Sequence, residues 1–148
     1  MASIMQAQKG KVITAFRYYD DYIKDGSKDA ELLNNAKEAI DGAARNEDTK
    51  TDAKTFLIRG QIYYALFEQD LRKETENGNT KVTDPNKRAL LGYQLTPRKE
   101  LDTAYSSFVR CKALDVKEKY ATDVKTGITN SVSHYQNKAK ADYVSKNY

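Results

Sequence analysis

Proline occurs at only two positions, Pro85 and Pro97, so the first 84 residues and the last 51 contain no residue that breaks a helix outright. In both tracts apolar residues recur every three or four positions, the spacing that lines one face of an α-helix. Five helices follow from that spacing. The first carries the stripe Val12, Ala15, Phe16, Tyr19 and Ile23 and stops at Gly26, which tolerates the left-handed cap conformation. Ser27 or Asp29 caps the second, whose stripe is Leu33, Ala36, Ile40, Ala43 and Ala44. A polar link at 47–51 leads to the third. There apolar residues from Phe56 to Leu71 lie on nearly all sides and call for neighbours on more than one flank.

Residues 72–97 read as an inserted loop, with turn signals at Asn77-Gly78-Asn79 and Asp84-Pro85-Asn86 and a short helical turn at 87–91. Thr96 as N-cap and Pro97 at the first helical position then open the fourth helix, with Leu101, Ala104, Tyr105, Phe108, Cys111 and Leu114 on its stripe. The fifth spans about 118–147 and carries Tyr120, Val124, Ile128, Ser131, Val132, Tyr135, Ala139 and Tyr143. No stop signal closes it, so the array is expected to run on past residue 148, and an uncovered face on this helix offers a route to a homo-oligomer. The expected fold is all-α: antiparallel helix hairpins stacked in one domain over 1–148, with 1–9 as a flexible N-terminus. Met5-Gln6-Ala7-Gln8 fits the tail of a secretory signal cleaved after Ala7, which would make the chain exported; a cytoplasmic chain is the alternative, since a charged n-region and an apolar core are missing.

The residue inventory leaves little for chemistry. One cysteine and one histidine exclude a disulfide framework, a cysteine cage and a multi-histidine metal site. Cys111 falls on an apolar stripe and reads as a small hydrophobe. His134, for which the sequence nominates no partner, reads as a surface or satisfied helix histidine. Asp20, Asp21, Asp25 and Asp29 lack the ligand order of a calcium loop. No phosphate loop, dinucleotide fingerprint or nucleophile–histidine–acid order occurs. No catalytic residue, cofactor or metal is therefore expected, and no stretch is apolar enough to span a membrane. The net charge of +4 is uneven, with 8 Lys/Arg against 4 Asp/Glu over residues 109–148. That lysine-rich end makes nucleic-acid or anionic-surface binding the alternative function. The lysines are isolated, without the aromatic platforms of nucleic-acid readers, so nucleic acid is not the favoured partner. Among the eleven tyrosines, Tyr18 and Tyr64 sit beside others and suit surface anchoring.

Several positions together resemble the tetratricopeptide repeat. Phe56, Gly60 and Tyr63 match its first-helix motif W-x2-L-G-x2-Y, with Arg59 at the leucine position. Ala104, Phe108 and Cys111 match the second-helix run A-x3-F-x2-A, with Val116 where the motif closes on proline. Leu33, Ala36, Ile40 and Ala43 resemble the second helix of a preceding unit. Tyr135, Ala139, Tyr143 and Tyr148 resemble the first helix of a following one. The likeness covers roughly 30–71 and 98–148. It implies a right-handed superhelical stack and a scaffold that binds a protein or peptide segment in a groove lined by first-helix side chains. Leu57, Gln61 and Tyr64 of the central unit and Gln136, Asn137 and Lys140 of the last would line that groove. A clamp for a peptide carboxylate is not implied, because Leu57 and Gln61 stand where such members carry Lys and Asn.

Overall fold

The computed structural model describes residues 2–77 and 81–146, with side chains for 9–76 and 81–146. It holds six helices: α1 (Ala2–Lys24), α2 (Ala30–Arg45), α3 (Ala53–Asn77), α4 (Pro85–Leu95), α5 (Lys99–Leu114) and α6 (Ala121–Lys146). Among the described residues no strand occurs, so the fold is all-α. The short α1–α2 turn folds the two helices side by side. Ser27 N–H donates to the Tyr22 carbonyl (2.9 Å) and Gly26 N–H to that of Ile23 (3.1 Å), with Gly26 at φ +70° and Ser27 at +62°. The Asp29 carboxylate then accepts the N–H groups of Glu31 (2.9 Å) and Leu32 (3.4 Å), which fixes the start of α2.

Four expectations need correction. The 72–97 stretch is not a loop: α3 runs on to Asn77, and α4 makes a sixth helix. Asp84-Pro85-Asn86 is a helix start, since the Asp84 carboxylate accepts from the N–H of Asn86 (2.8 Å) and Lys87 (3.2 Å) with Pro85 in the first turn. Gly78 and Asn79 of the other turn signal lie outside the described residues, as does Tyr148. Thr96 closes α4, its hydroxyl donating to the Gly92 carbonyl at 2.7 Å; α5 begins two residues later than expected, at Lys99, without a side-chain cap. Helix α1 already starts at Ala2, inside the segment expected to be flexible. Finally, two stripes are rotated. Tyr22 is buried on α1, whereas Phe16 and Ile23 are exposed. On α6 the buried residues are Val124, Gly127, Ser131, Lys138 and Ala141, leaving Val132, Ala139 and Tyr143 outside.

Helix α3 touches every other helix, most extensively α5. Its approach to α5 and α6 centres on one ring. A Cβ on Gly60 would come within 2.7 Å of the Phe108 ring, and a Cβ on Gly127 within 2.5 Å of the same ring. Phe108 of α5 is thus wedged between hydrogen-only positions on α3 and α6. Ala104 and Cys111, one turn to either side of it, are fully buried. Arg59, the departure from the repeat motif, supplies a polar strut beside this contact. Its Nε donates to Asp41 Oδ1 (3.1 Å) and its Nη1 to Ser107 Oγ (3.0 Å), joining α2, α3 and α5. The Tyr63 hydroxyl (2.7 Å) and Lys37 Nζ (2.9 Å) donate to Asp41 Oδ2. Burial pushes the Asp41 carboxyl up, but the bonds from Tyr63 and Lys37 outweigh it and hold the group below its ordinary value.

Two outcomes follow. Gly60→Ala gains helix propensity of about 1 kcal/mol but drives a methyl into a ring that Gly127 prevents from retreating. The net loss is about 1–2 kcal/mol in urea melts, and Phe108→Leu in the same chain costs less than the two single changes added together. Asp41→Asn lowers stability by about 1.5–3 kcal/mol at neutral pH. Because the folded-state value is depressed, the Asp41 contribution is present above the unfolded carboxylate value of about 3.9 and is lost as pH falls through the folded one. Parent and variant melts therefore converge in acid.

Candidate functional site

A cluster of polar side chains from three helices converges where α3, α4 and α6 meet. His134 of α6 is mostly covered, and both of its ring nitrogens are engaged: Nε2 lies 2.9 Å from the Tyr64 hydroxyl of α3, and Nδ1 2.8 Å from the Tyr93 hydroxyl of α4. Phe67 packs edge-on against the imidazole, centroids 5.0 Å apart. The Asn137 amide donates to the Tyr93 hydroxyl (3.1 Å), and Glu68 Oε1 lies 3.8 Å from Nε2. Bond directions follow from the donors available. Tyr93 receives the Asn137 N–H and so can pass its own proton to Nδ1. Nε2 carries the other ring proton and donates to Tyr64, whose hydroxyl turns to the Glu68 carboxylate. Burial, then the Glu68 charge, raises the Tyr64 phenol well above its ordinary value. The result is a one-way chain of hydrogen bonds in which neither imidazole nitrogen is open to a substrate.

One turn further on, Lys138 reaches back under α4. Its ammonium donates to the carbonyls of Tyr93 (2.6 Å) and Thr96 (2.5 Å), the end of a helix where carbonyls lack intrahelical partners and positive charge is favoured. Burial pulls this lysine below its ordinary value. Gln94 completes the attachment by donating to the Ala141 carbonyl (2.9 Å). At the opposite flank of α4, Gly92 lies so close to Thr75 of α3 that a Cβ there would collide with its hydroxyl.

The groove expected from the repeat resemblance is only partly assembled. Tyr64 and Asn137 are brought together through Tyr93. Gln61 is half-buried on α3, one turn before Tyr64. Leu57 is buried in the core and cannot meet a ligand, because α3 is covered on that side as well. Gln136 and Lys140 are exposed and point elsewhere: at 100° per residue, Gln136 stands about 200° round the helix from His134. Cys111 is buried, and burial with the nearby Asp115 charge pushes its thiol up to about 11. Among the described residues no three His, Cys, Asp or Glu side chains converge as metal ligands.

A second candidate surface lies between α5 and α6. A cleft of about 560 Å3 opens at their turn, with Val116, Ala121, Val124 and Ile128 as apolar lining and Lys112, Lys125 and Glu118 as charged lining. Asp115 also lines it, but its carboxylate is committed to the backbone N–H of Lys119 (3.0 Å) and Tyr120 (2.6 Å). Val116 is 90% exposed. Tyr105 and Val109 of α5 and Val132 and Ala139 of α6 extend the exposed apolar surface from the cleft.

Lys138→Met keeps the length of the stem and deletes both carbonyl contacts. It should destabilise the chain by about 1–3 kcal/mol and speed amide exchange in α4 before α1 or α2, read by hydrogen-exchange mass spectrometry. No family model, curated protein or solved structure matches the chain, so the work of both surfaces is read from their own chemistry.

Proposed function

We propose that the protein is a non-catalytic interaction module of tetratricopeptide type, and that it docks an acidic amphipathic helix of a partner protein along the α5–α6 face. The carrying observation is the apolar surface left open on both helices and the turn between them: Tyr105 and Val109 on α5 are 37% and 42% exposed, Val116 in the turn after α5 is 90% exposed, and Val132 on α6 is 39% exposed. Two neighbouring helices with apolar residues facing outward form a trough that a third helix fits. Full burial of one such aliphatic side chain contributes about 1.5–3 kcal/mol. The repeat reading is supported by the packing order α1 on α2, α2 on α3, α3 on α5 and α5 on α6; α4 stands outside that order, packed against α3 and α6.

Charge selects the occupant. Lys112 and Lys125 line the trough with Glu118, and Lys140 stands further along α6, so cations outnumber the acid there while Asp115 spends its carboxylate on the α6 cap. A second copy suits this face poorly. The exposed apolar side of α1, with Ile13, Phe16 and Ile23, is itself bordered by Lys9 and Arg17, and its Asp20 is taken by Lys24. The α3–α6 face is the weaker docking surface, because Tyr64 is engaged with His134 and Leu57 is buried.

The test uses a labelled synthetic helix of about 18 residues, leucines on one face and glutamates beside them, with a lysine counterpart as control. Fluorescence anisotropy should show the glutamate peptide binding more tightly, with affinity weakening as salt rises. Val116→Asp and Val132→Asp should each weaken it roughly tenfold, about 1.4 kcal/mol, at unchanged circular dichroism. Equal binding of the lysine peptide, insensitivity to both substitutions, or capture of phosphatidylglycerol vesicles in preference to the peptide would overturn the reading.

A further inference from the structure

We infer that the outer face of α1 pairs antiparallel with α1 of a second copy of this chain, through a surface separate from the α5–α6 face. Helix α1 packs against α2 and α3, with Val12, Ala15 and Tyr22 buried in the core. Its other side carries Lys9, Ile13, Phe16, Asp20 and Ile23, at successive steps of four, three, four and three residues. That is the heptad spacing of a seam between two helices. At 100° per residue the first four fall within about 60° of the helix surface. Ile13, Phe16 and Ile23 are 55%, 45% and 47% exposed, so the apolar part of the seam is uncovered.

The order of Lys9, Ile13, Phe16 and Asp20 selects the occupant. Their spacing of four, three and four reads the same in both directions along the helix. Two copies of α1 related by a two-fold axis therefore set Ile13 across from Phe16 and Lys9 across from Asp20, each twice. Two apolar layers are closed at both ends by opposite charges. Side by side in parallel, the same helices would set Lys9 against Lys9 and Asp20 against Asp20, so charge fixes the direction as well as the partner. Asp20 accepts Lys24 Nζ at Oδ2, and its Oδ1 can take Lys9 of the second copy. Arg17, at the edge of the seam, stands level with Val12 of the second copy and meets no cation across it. One helix per copy is narrower than the roughly 20–30 residues a side of a standard interface, so the pairing is reversible and depends on concentration.

The experiment is sedimentation velocity on the full chain from about 1 μM to about 500 μM, where the parent should pass from monomer to dimer. Phe16→Glu should keep the chain monomeric over that range at unchanged circular dichroism, and Val116→Asp should leave the dimer intact. Lys9→Glu and Asp20→Lys each oppose like charges twice in a dimer and should each weaken it roughly tenfold. An equimolar mixture of these two variants restores both opposite pairs and should associate again as a mixed dimer. A parent that stays monomeric throughout, a dimer that survives Phe16→Glu, or a mixture no more associated than its two components would overturn the pairing.

Discussion

The Phe108 ring sets the spacing of three helices at once. Close packing leaves no room between it and the backbones of α3 and α6, so residues 60 and 127 can be nothing larger than glycine without displacement. Glycine in mid-helix weakens each helix locally, and the sequence accepts that loss twice to bring α3, α5 and α6 to one point. The polar contacts follow from this approach. Arg59 reaches both Asp41 and Ser107 because α2 and α5 flank the same stretch of α3. Tyr64 reaches His134 because α6 lies beside α3.

The polar groups inside the molecule serve mainly as struts between helices. Asp41 gathers three donors, Lys138 gathers two carbonyls, and His134 joins two phenols. Each replaces water with fixed partners, which makes single deletions costly. What remains available to another molecule is apolar surface bordered by lysine. Bonded polar groups thus lie within, and uncovered aliphatic groups lie along α5 and α6.

Helix existence was legible from spacing, because amphipathic stripes, the Gly26 stop and the Asp29 cap are local. The crossing was legible in part: small residues at 60 and 104 marked it, whereas Gly127, on the other side of Phe108, stands outside the apolar stripe and gives no signal in the spacing. Helix α4 was missed because Asp84-Pro85 suits a turn and a helix start alike, and only the tertiary contacts of Gly92, Tyr93 and Gln94 decide between them. Missing α4 concealed the His134 cluster, whose third member is Tyr93. The α6 stripe was read on the wrong side in its second half, since Lys138, a residue type that normally faces water, takes an inward position there while Ala139 faces out.

Helix α4 also bears on the order in which the chain assembles. Helices α1 and α2 are joined by a five-residue turn and can find each other early, with little entropy to lose. The most extensive pairing, α3 with α5, spans an intervening helix, so its loop must close over a much longer separation. The added entropic cost is only about 0.6 kcal/mol for each doubling of loop length, which a native pair absorbs easily, but the search is slower. The architecture therefore places its tightest contact late in folding, after a locally built hairpin has given α3 one side to lean on.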